Sequence, residues 1–310
     1  MRKLAFVLLC MLSSQCLGQE LVKVAIGQGG NSLEALVTEI GQAGGVFGRH
    51  NLKLEIIYTA GAGETLQATI SRSVDFGISI GTSGALSAGE KGAPIRVIGS
   101  TSVGSPVFWY VKGDSPIRDM SDIGGHTIGY STRGSGTYAV AELARARVPT
   151  AKLVATGTIG ATFTQVMTQQ LDVGFATAEF AQKYLDDGSI RLISRDNDFD
   201  RIRRQSIRVF TAHVSVPEDR YRRFRAAYKE TVDWIFSGDP APIRMYAEAI
   251  KVSEARAKEL ADSFASKEML DPSKVRGISL AIEDALAAKM IQSAPSEAQL
   301  SVLIIPEARE

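Results

Sequence analysis

Short strand-like runs and helix-like stretches take turns along this chain in two successive series, a pattern that implies parallel sheets covered by helices on both faces. Val22 to Ile26 reads as a strand, after which Leu33, Leu36, Val37 and Ile40 recur at helical spacing. Asn31 is placed to cap that helix, with Glu34 three residues on completing a capping box that satisfies two orphan donors. Leu54 to Tyr58, Asp75 to Ile80 and Ile95 to Ile98 are the next strands, with Gly61 to Gly63 and Gly81 to Gly84 opening the helices between them. Pro106 to Lys112 is a β-rich run read as a crossover into a second lobe. There the series repeats: His126 to Tyr130, Lys152 to Ala155, Asp172 to Ala176 and Ile190 to Ile193 as strands, with helices between.

Ile207 to Val216 is a long strand-like run that carries the chain back to the first lobe. From Pro217 the periodicity is helical, with Tyr221, Phe224, Tyr228, Val232 and Ile235 on one face and Glu218 and Asp219 in the first turn, where the helix dipole favours them. Further helices are expected over Tyr246 to Ile250, Ser253 to Phe264 and Lys274 to Met290, broken at Asp271-Pro272. The expected layout is a leader over 1–18, lobe 1 over 19–105, lobe 2 over 106–214 with crossovers at both ends, and a helical second part of lobe 1 over 215–310.

The leader follows from Arg2 and Lys3, the apolar run Leu4 to Leu12 and the small or polar residues Ser13, Ser14, Cys16 and Gly18, which together read as a secretory signal peptide. A run of about nine residues is too short to span a bilayer, which needs roughly 20. Cleavage after Gly18 fits best and after Cys16 second, while Ser14-Gln15-Cys16 makes a poor lipobox. Cys10 and Cys16 are the only cysteines, so cleavage after Gly18 removes both and with them any disulfide, thiolate nucleophile or cysteine metal site. The remaining ~290 residues exceed one core and suit two lobes. A net charge of +1 lacks the basic excess of a nucleic-acid binder.

Doubly wound sheets bind ligands beyond the carboxyl ends of their strands, which singles out five loops. Their candidate ligand-binding residues are Gln28, Asn31, Gly61, Thr82, Ser83, Arg133, Ser135, Gly136, Thr137, Thr177 and Glu179. Glycine lets backbone approach a ligand, and amides at a helix N-terminus favour an anion. Arg133 with the amides of Ser135 to Thr137 would hold an anionic group and Glu179 a polar or cationic end, together a zwitterion such as an amino sulfonate; the alternative is that Arg133 and Glu179 pair with each other. Gly134-Ser-Gly136 lacks both the phosphate-loop pattern and the Gly-x-Ser-x-Gly of a hydrolase elbow. His50, His126 and His213 have no spacing that gathers a metal and read as structural. The arginines at 201, 203, 204, 208, 220, 222, 223 and 225 read as solvated surface, diluted by neighbouring acids.

Gly48-Arg-His-Asn-Leu-Lys-Leu-Glu55, Asp75-Phe-Gly-Ile followed by Gly81-Thr-Ser83, and Asp122-Ile-Gly-Gly-His-Thr-Ile-Gly129, in this order behind a leader, resemble the nitrate, sulfonate and taurine (SsuA-like) family of ABC-transporter substrate-binding proteins. The resemblance covers nearly the whole mature chain. It implies a type II periplasmic-binding fold, two doubly wound βα lobes with a hinged cleft and the helical C-terminal part packed on lobe 1. It also implies a periplasmic monomer that takes a small molecule to a membrane permease, without catalysis, cofactor or nucleic acid. Two rivals remain, an exported sensor of the same fold and an enzyme like the intracellular relatives that make a pyrimidine from their own residues.

Overall fold

The structure, a computed structural model, describes residues 18–27 and 32–310. The leader and the candidates Gln28 and Asn31 lie outside the described residues. The first half of the chain runs β1 (Glu20–Gly27), α1 (Leu33–Ala43), α2 (Val46–Arg49), β2 (Leu52–Thr59), α3 (Ala62–Ile70), β3 (Phe76–Gly81), α4 (Thr82–Glu90), β4 (Ile95–Val103) and β5 (Val107–Lys112). It continues as β6 (Thr127–Tyr130), α5 (Gly136–Arg147), β7 (Lys152–Ala155), α6 (Ile159–Met167), β8 (Val173–Thr177), α7 (Ala178–Asp186) and β9 (Ile190–Arg195). After α8 (Asp200–Arg203) and β10 (Ser206–His213) come the helices α9 (Glu218–Ile235), α10 (Pro240–Ile250), α11 (Glu254–Phe264), α12 (Ile278–Ala287) and α13 (Glu297–Leu303).

The strands form two sheets of five, ordered β2-β1-β3-β10-β4 and β7-β6-β8-β5-β9. Neither is wholly parallel, which corrects the sequence expectation. β10 runs antiparallel to β3 and β4, and β5 antiparallel to β8 and β9. The reason is the exchange of strands: β5 follows the last strand of the first sheet and enters the second, and β10 makes the return. A chain leaving the carboxyl end of β4 for the facing lobe enters that lobe from its own carboxyl end and must run the opposite way. The carboxyl ends of the parallel strands in both sheets therefore face one another across the crossovers. β10 lies wholly in the first sheet, with Arg208 opposite Gly81 of β3.

The two cores are largely aliphatic. Ile26, Phe76, Ile78 and Phe210 are buried under the first sheet, and Trp109, Ile128, Val140 and Phe175 in the second lobe. α9 lays the predicted face on the first sheet, where Phe224 stacks on Phe76 at 4.4 Å and meets Phe210 edge-on. Its arginines do more than cover the wet side: Arg220 and Arg223 both grip Glu20 of β1, and Arg220 also reaches Asp75. The C-terminal helices are not confined to lobe 1, since α11 touches α7 and α12 touches α5. α12 is shorter than the expected Lys274 to Met290, beginning only after Gly277. Among the described residues no helix is long and apolar enough to cross a membrane.

Candidate functional site

A cavity opens where the carboxyl ends of the two sets of strands meet. Lobe 1 supplies Ser32, Glu34, Ala62, Ser79 and Arg208 to its wall, and lobe 2 supplies Ser131, Ser135, Thr137, Phe175 and Thr177. As it stands the cavity holds about 80 Å³, room for a compact group.

Its charged wall is built by α1 and β10. Ser32, not Asn31, caps α1, its hydroxyl accepting from the Ala35 amide at 3.3 Å. The one-residue offset moves Glu34 out of capping-box position and frees its carboxylate for tertiary contacts. Oε2 accepts from Arg208 Nη1 at 2.8 Å and Oε1 from the Ser79 hydroxyl at 2.9 Å. Both charges are shielded, Glu34 at 4% and Arg208 at 13% side-chain exposure, so they interact far more strongly than a surface pair. Ser79 reaches Glu34 from a β-bulge: between the pairs Val209–Ile80 and Thr211–Gly77, one residue of β10 faces two of β3. Ser79 has φ +60, a left-handed conformation costly for a side-chain-bearing residue, and such strain gathers at functional sites.

The other guanidinium nitrogen of Arg208 donates to Ser105 Oγ at 3.4 Å, on the outward crossover. The Ser105 amide donates to Asn197 Oδ1 at 3.0 Å and the Gly104 amide to the Gln205 carbonyl at 3.0 Å. Both crossings are thus tied together beside the cavity, and the charged pair is anchored to them. Asp196, with no exposed surface, accepts from Trp109 Nε1 at 2.6 Å in the same cluster. Burial pushes its carboxyl up to about 6, against the pull of Ser105, Trp109 and the Arg208 charge.

Opposite lies the N-terminus of α5. Ser135 caps it, accepting from the Tyr138 amide at 3.1 Å, and shares a 3.0 Å hydrogen bond with Thr137, whose hydroxyl also accepts from the Ser131 amide. First-turn amides such as those of Gly136 and Thr137 have no intrahelical carbonyl to serve and favour an anion. Gly136 lies against Arg208: a Cβ there would sit 3.4 Å from its Nε. An arginine and a helix N-terminus therefore converge from opposite lobes.

A family model described as NMT1/THI5 like matches residues 38–241, well over half of the chain. The chain belongs to the NMT1/THI5-like family. Solved structures similar to this NMT1/THI5-like chain include the Candida albicans CA3427 gene product, described as having the generic periplasmic binding protein fold, at 16% identity and TM-score 0.72 over 94% of this chain and 98% of that one. The alkanesulfonate-binding protein SsuA from Xanthomonas axonopodis pv. citri, bound to MOPS, is similar at 12% identity and TM-score 0.71, again over 94% and 98%. The desulfurization enzyme DSZB is similar at 15% identity and TM-score 0.61, over 91% and 96%. At these identities the likeness shows the fold, a periplasmic-binding architecture used mainly by solute-binding proteins and by at least one enzyme. The SsuA-like resemblance is borne out at that level. No curated protein matches the sequence.

Within this NMT1/THI5-like fold the sequence candidates divide. Ser135, Gly136, Thr137 and Thr177 line the cavity. Gly61 faces lobe 2, where a Cβ on it would sit 3.0 Å from Ser131 Oγ. Thr82 and Ser83 are buried at the start of α4, and the Thr82 hydroxyl donates to the Ser206 carbonyl, so Thr82 fastens α4 to the return crossover. Arg133 turns out of the cavity: Gly134, at φ +84, folds the loop so that the guanidinium donates to the Lys289 carbonyl at 3.2 Å and rests on Met290 Sδ. Glu179 is buried between lobes, accepting from Tyr246 Oη at 2.5 Å and the Leu33 amide at 3.4 Å, and burial raises its carboxyl above the usual range despite those bonds. Neither of the charges chosen from the sequence faces the cavity, and they do not pair with each other.

The charges that do face it are Glu34 and Arg208, which in sequence read as part of a helix cap and as solvated surface. A lone arginine inside the apolar strand run Ile207-Arg-Val-Phe was the available signal. Ser79 carried none, because a bulge is a tertiary event. His50 pairs with Glu230 at 2.7 Å, His126 lies 3.4 Å from Asp172 and His213 contacts Ser215, each away from the cavity.

Proposed function

We propose that this chain is the periplasmic solute-binding component of an ABC importer, exported behind a cleaved leader and acting as a monomer. It closes its two lobes on a small anionic or zwitterionic organic molecule and hands it to a membrane permease. In this reading lobe 1 is discontinuous, its second part being the C-terminal helices. The single observation that carries it is the shared cavity, whose walls come from both lobes and meet beside the two crossovers. Such a site does its work by differential affinity between open and closed lobes. The structural likeness to an alkanesulfonate-binding protein bound to MOPS supports a solute with an acidic head group. A thermal-shift screen of sulfonates, carboxylates, nitrate and pyrimidines is the test. A true ligand at ~100-fold excess over its dissociation constant stabilises the native state by about 2.7 kcal/mol and should also lower the radius of gyration in small-angle scattering. Stoichiometric binding with an unchanged radius would remove lobe closure from the reading, and no ligand in any class would remove solute capture.

A further inference from the structure

The cavity contains one acid and one base, and they are paired with each other. Among the described residues that line it, Glu34 and Arg208 are the only charged ones, 2.8 Å apart. We infer that the cleft selects electroneutral, dipolar solutes, short zwitterions whose anionic group takes Arg208 and the α5 N-terminus while their cationic group takes Glu34. This rests on the solute-binding reading of the same site and narrows its ligand class.

The physical reason is the fixed position of Glu34. Arg208 and the first turn of α5 together invite an anion, yet any anion placed on Arg208 comes within a few ångströms of the Glu34 carboxylate in a shielded site. A solute that carries only negative charge meets that repulsion, and one that carries only positive charge meets Arg208 and the positive end of α5. A solute with both charges cancels both penalties by lying antiparallel to the resident pair. Because the resident charges are in contact, the matching charges must also be close, separated by one or two carbon atoms. The compact cavity of about 80 Å³ agrees with a solute of that size. Glu34 is also held firmly: the strained Ser79 fixes one of its oxygens and Arg208 the other, so it cannot swing aside to admit a bare anion.

The test is calorimetry of the full mature chain at pH 7 with two matched trios: taurine, ethanesulfonate and ethylamine; then β-alanine, propionate and ethylamine. At least one zwitterion should bind tenfold or more tightly than either of its singly charged analogues. In Glu34→Gln the preference for the zwitterion over the anion should fall by at least tenfold, with the anion binding better than it does to the wild type. Wild-type protein that binds ethanesulfonate or propionate as well as the zwitterion overturns the inference without needing any variant to fold. A folded Glu34→Gln protein with an unchanged ratio overturns it too. If neither trio binds while another solute in the wider screen does, the short zwitterion is wrong and solute capture stands. If nothing in the wider screen binds, both readings fall.

Discussion

Asp196 sits where the two crossings meet, and its environment makes one carboxyl a pH-dependent part of that junction. It has no exposed surface, one indole hydrogen bond from Trp109, the Arg208 charge nearby to lower its pKa and Asp198 to raise it. Burial dominates, so the folded value is about 6 against 3.8 for the free side chain. Folding raises this pKa, so its contribution to stability is complete below 3.8 and is lost as pH climbs through about 6. A gap of that size corresponds to on the order of 3 kcal/mol. Urea unfolding of wild type and Asp196→Asn from pH 4 to 8 should show the difference between them shift against the wild type by that order and level off above pH 7. A flat difference would mean Asp196 is solvated in the native state. Nothing in the sequence marked this residue: Asp196, Asp198 and Asp200 form a run of alternating acids that reads as solvated, and only tertiary packing against Trp109 separates the first from the others.

At the scale of elements, periodicity located most strands and the long C-terminal helix because most of them have a clear buried face. The face of α9 from Tyr221 to Ile235 is found as read; Lys152 to Ala155 is found as read too, although this edge strand has no fully buried residue. Sheet pairing was less legible, since β5 and β10 are apolar runs whose direction depends on which lobe the chain enters, a fact outside any local window. For the same reason the sequence could place Glu179 at the start of α7 but could not show that α7 lies against lobe 1. There it joins three elements: its carboxylate accepts from Tyr246 of α10 and from the first amide of α1. Removing the hydroxyl with Tyr246→Phe should cost about 1.5–3 kcal/mol while Glu179 is charged, the usual worth of a hydrogen bond to an ionised group. A double-mutant cycle with Glu179→Gln, read by urea unfolding, should return a coupling of at least about 1 kcal/mol. Additive effects would mean that α7 is held to lobe 1 by apolar packing alone.

For the molecule as a whole, the solute-binding reading turns on how closely the lobes approach, and the tightest glycine approach between them is that of Gly81 and Gly134. Gly81, at the start of α4, faces the carbonyl of Gly134 on the loop before α5, and a Cβ on Gly81 would lie 1.9 Å from that oxygen. Gly81 itself has φ −58, a value any residue adopts, so alanine strains nothing within lobe 1. The clash exists only between lobes, and separating them relieves it. Overpacking a close contact costs typically 1–3 kcal/mol, and here that cost falls on the closed form alone. On the solute-binding reading, the closed population should drop by about 5- to 150-fold relative to the open one, and apparent ligand affinity by up to the same factor, because in that reading only the closed state holds both walls of the cavity against the solute. Small-angle scattering of Gly81→Ala should need correspondingly more ligand than the wild type to reach the smaller radius of gyration, while circular dichroism stays unchanged. A variant with wild-type radius and wild-type affinity would show that the 81–134 contact yields without cost, and that closure is set at the crossovers instead.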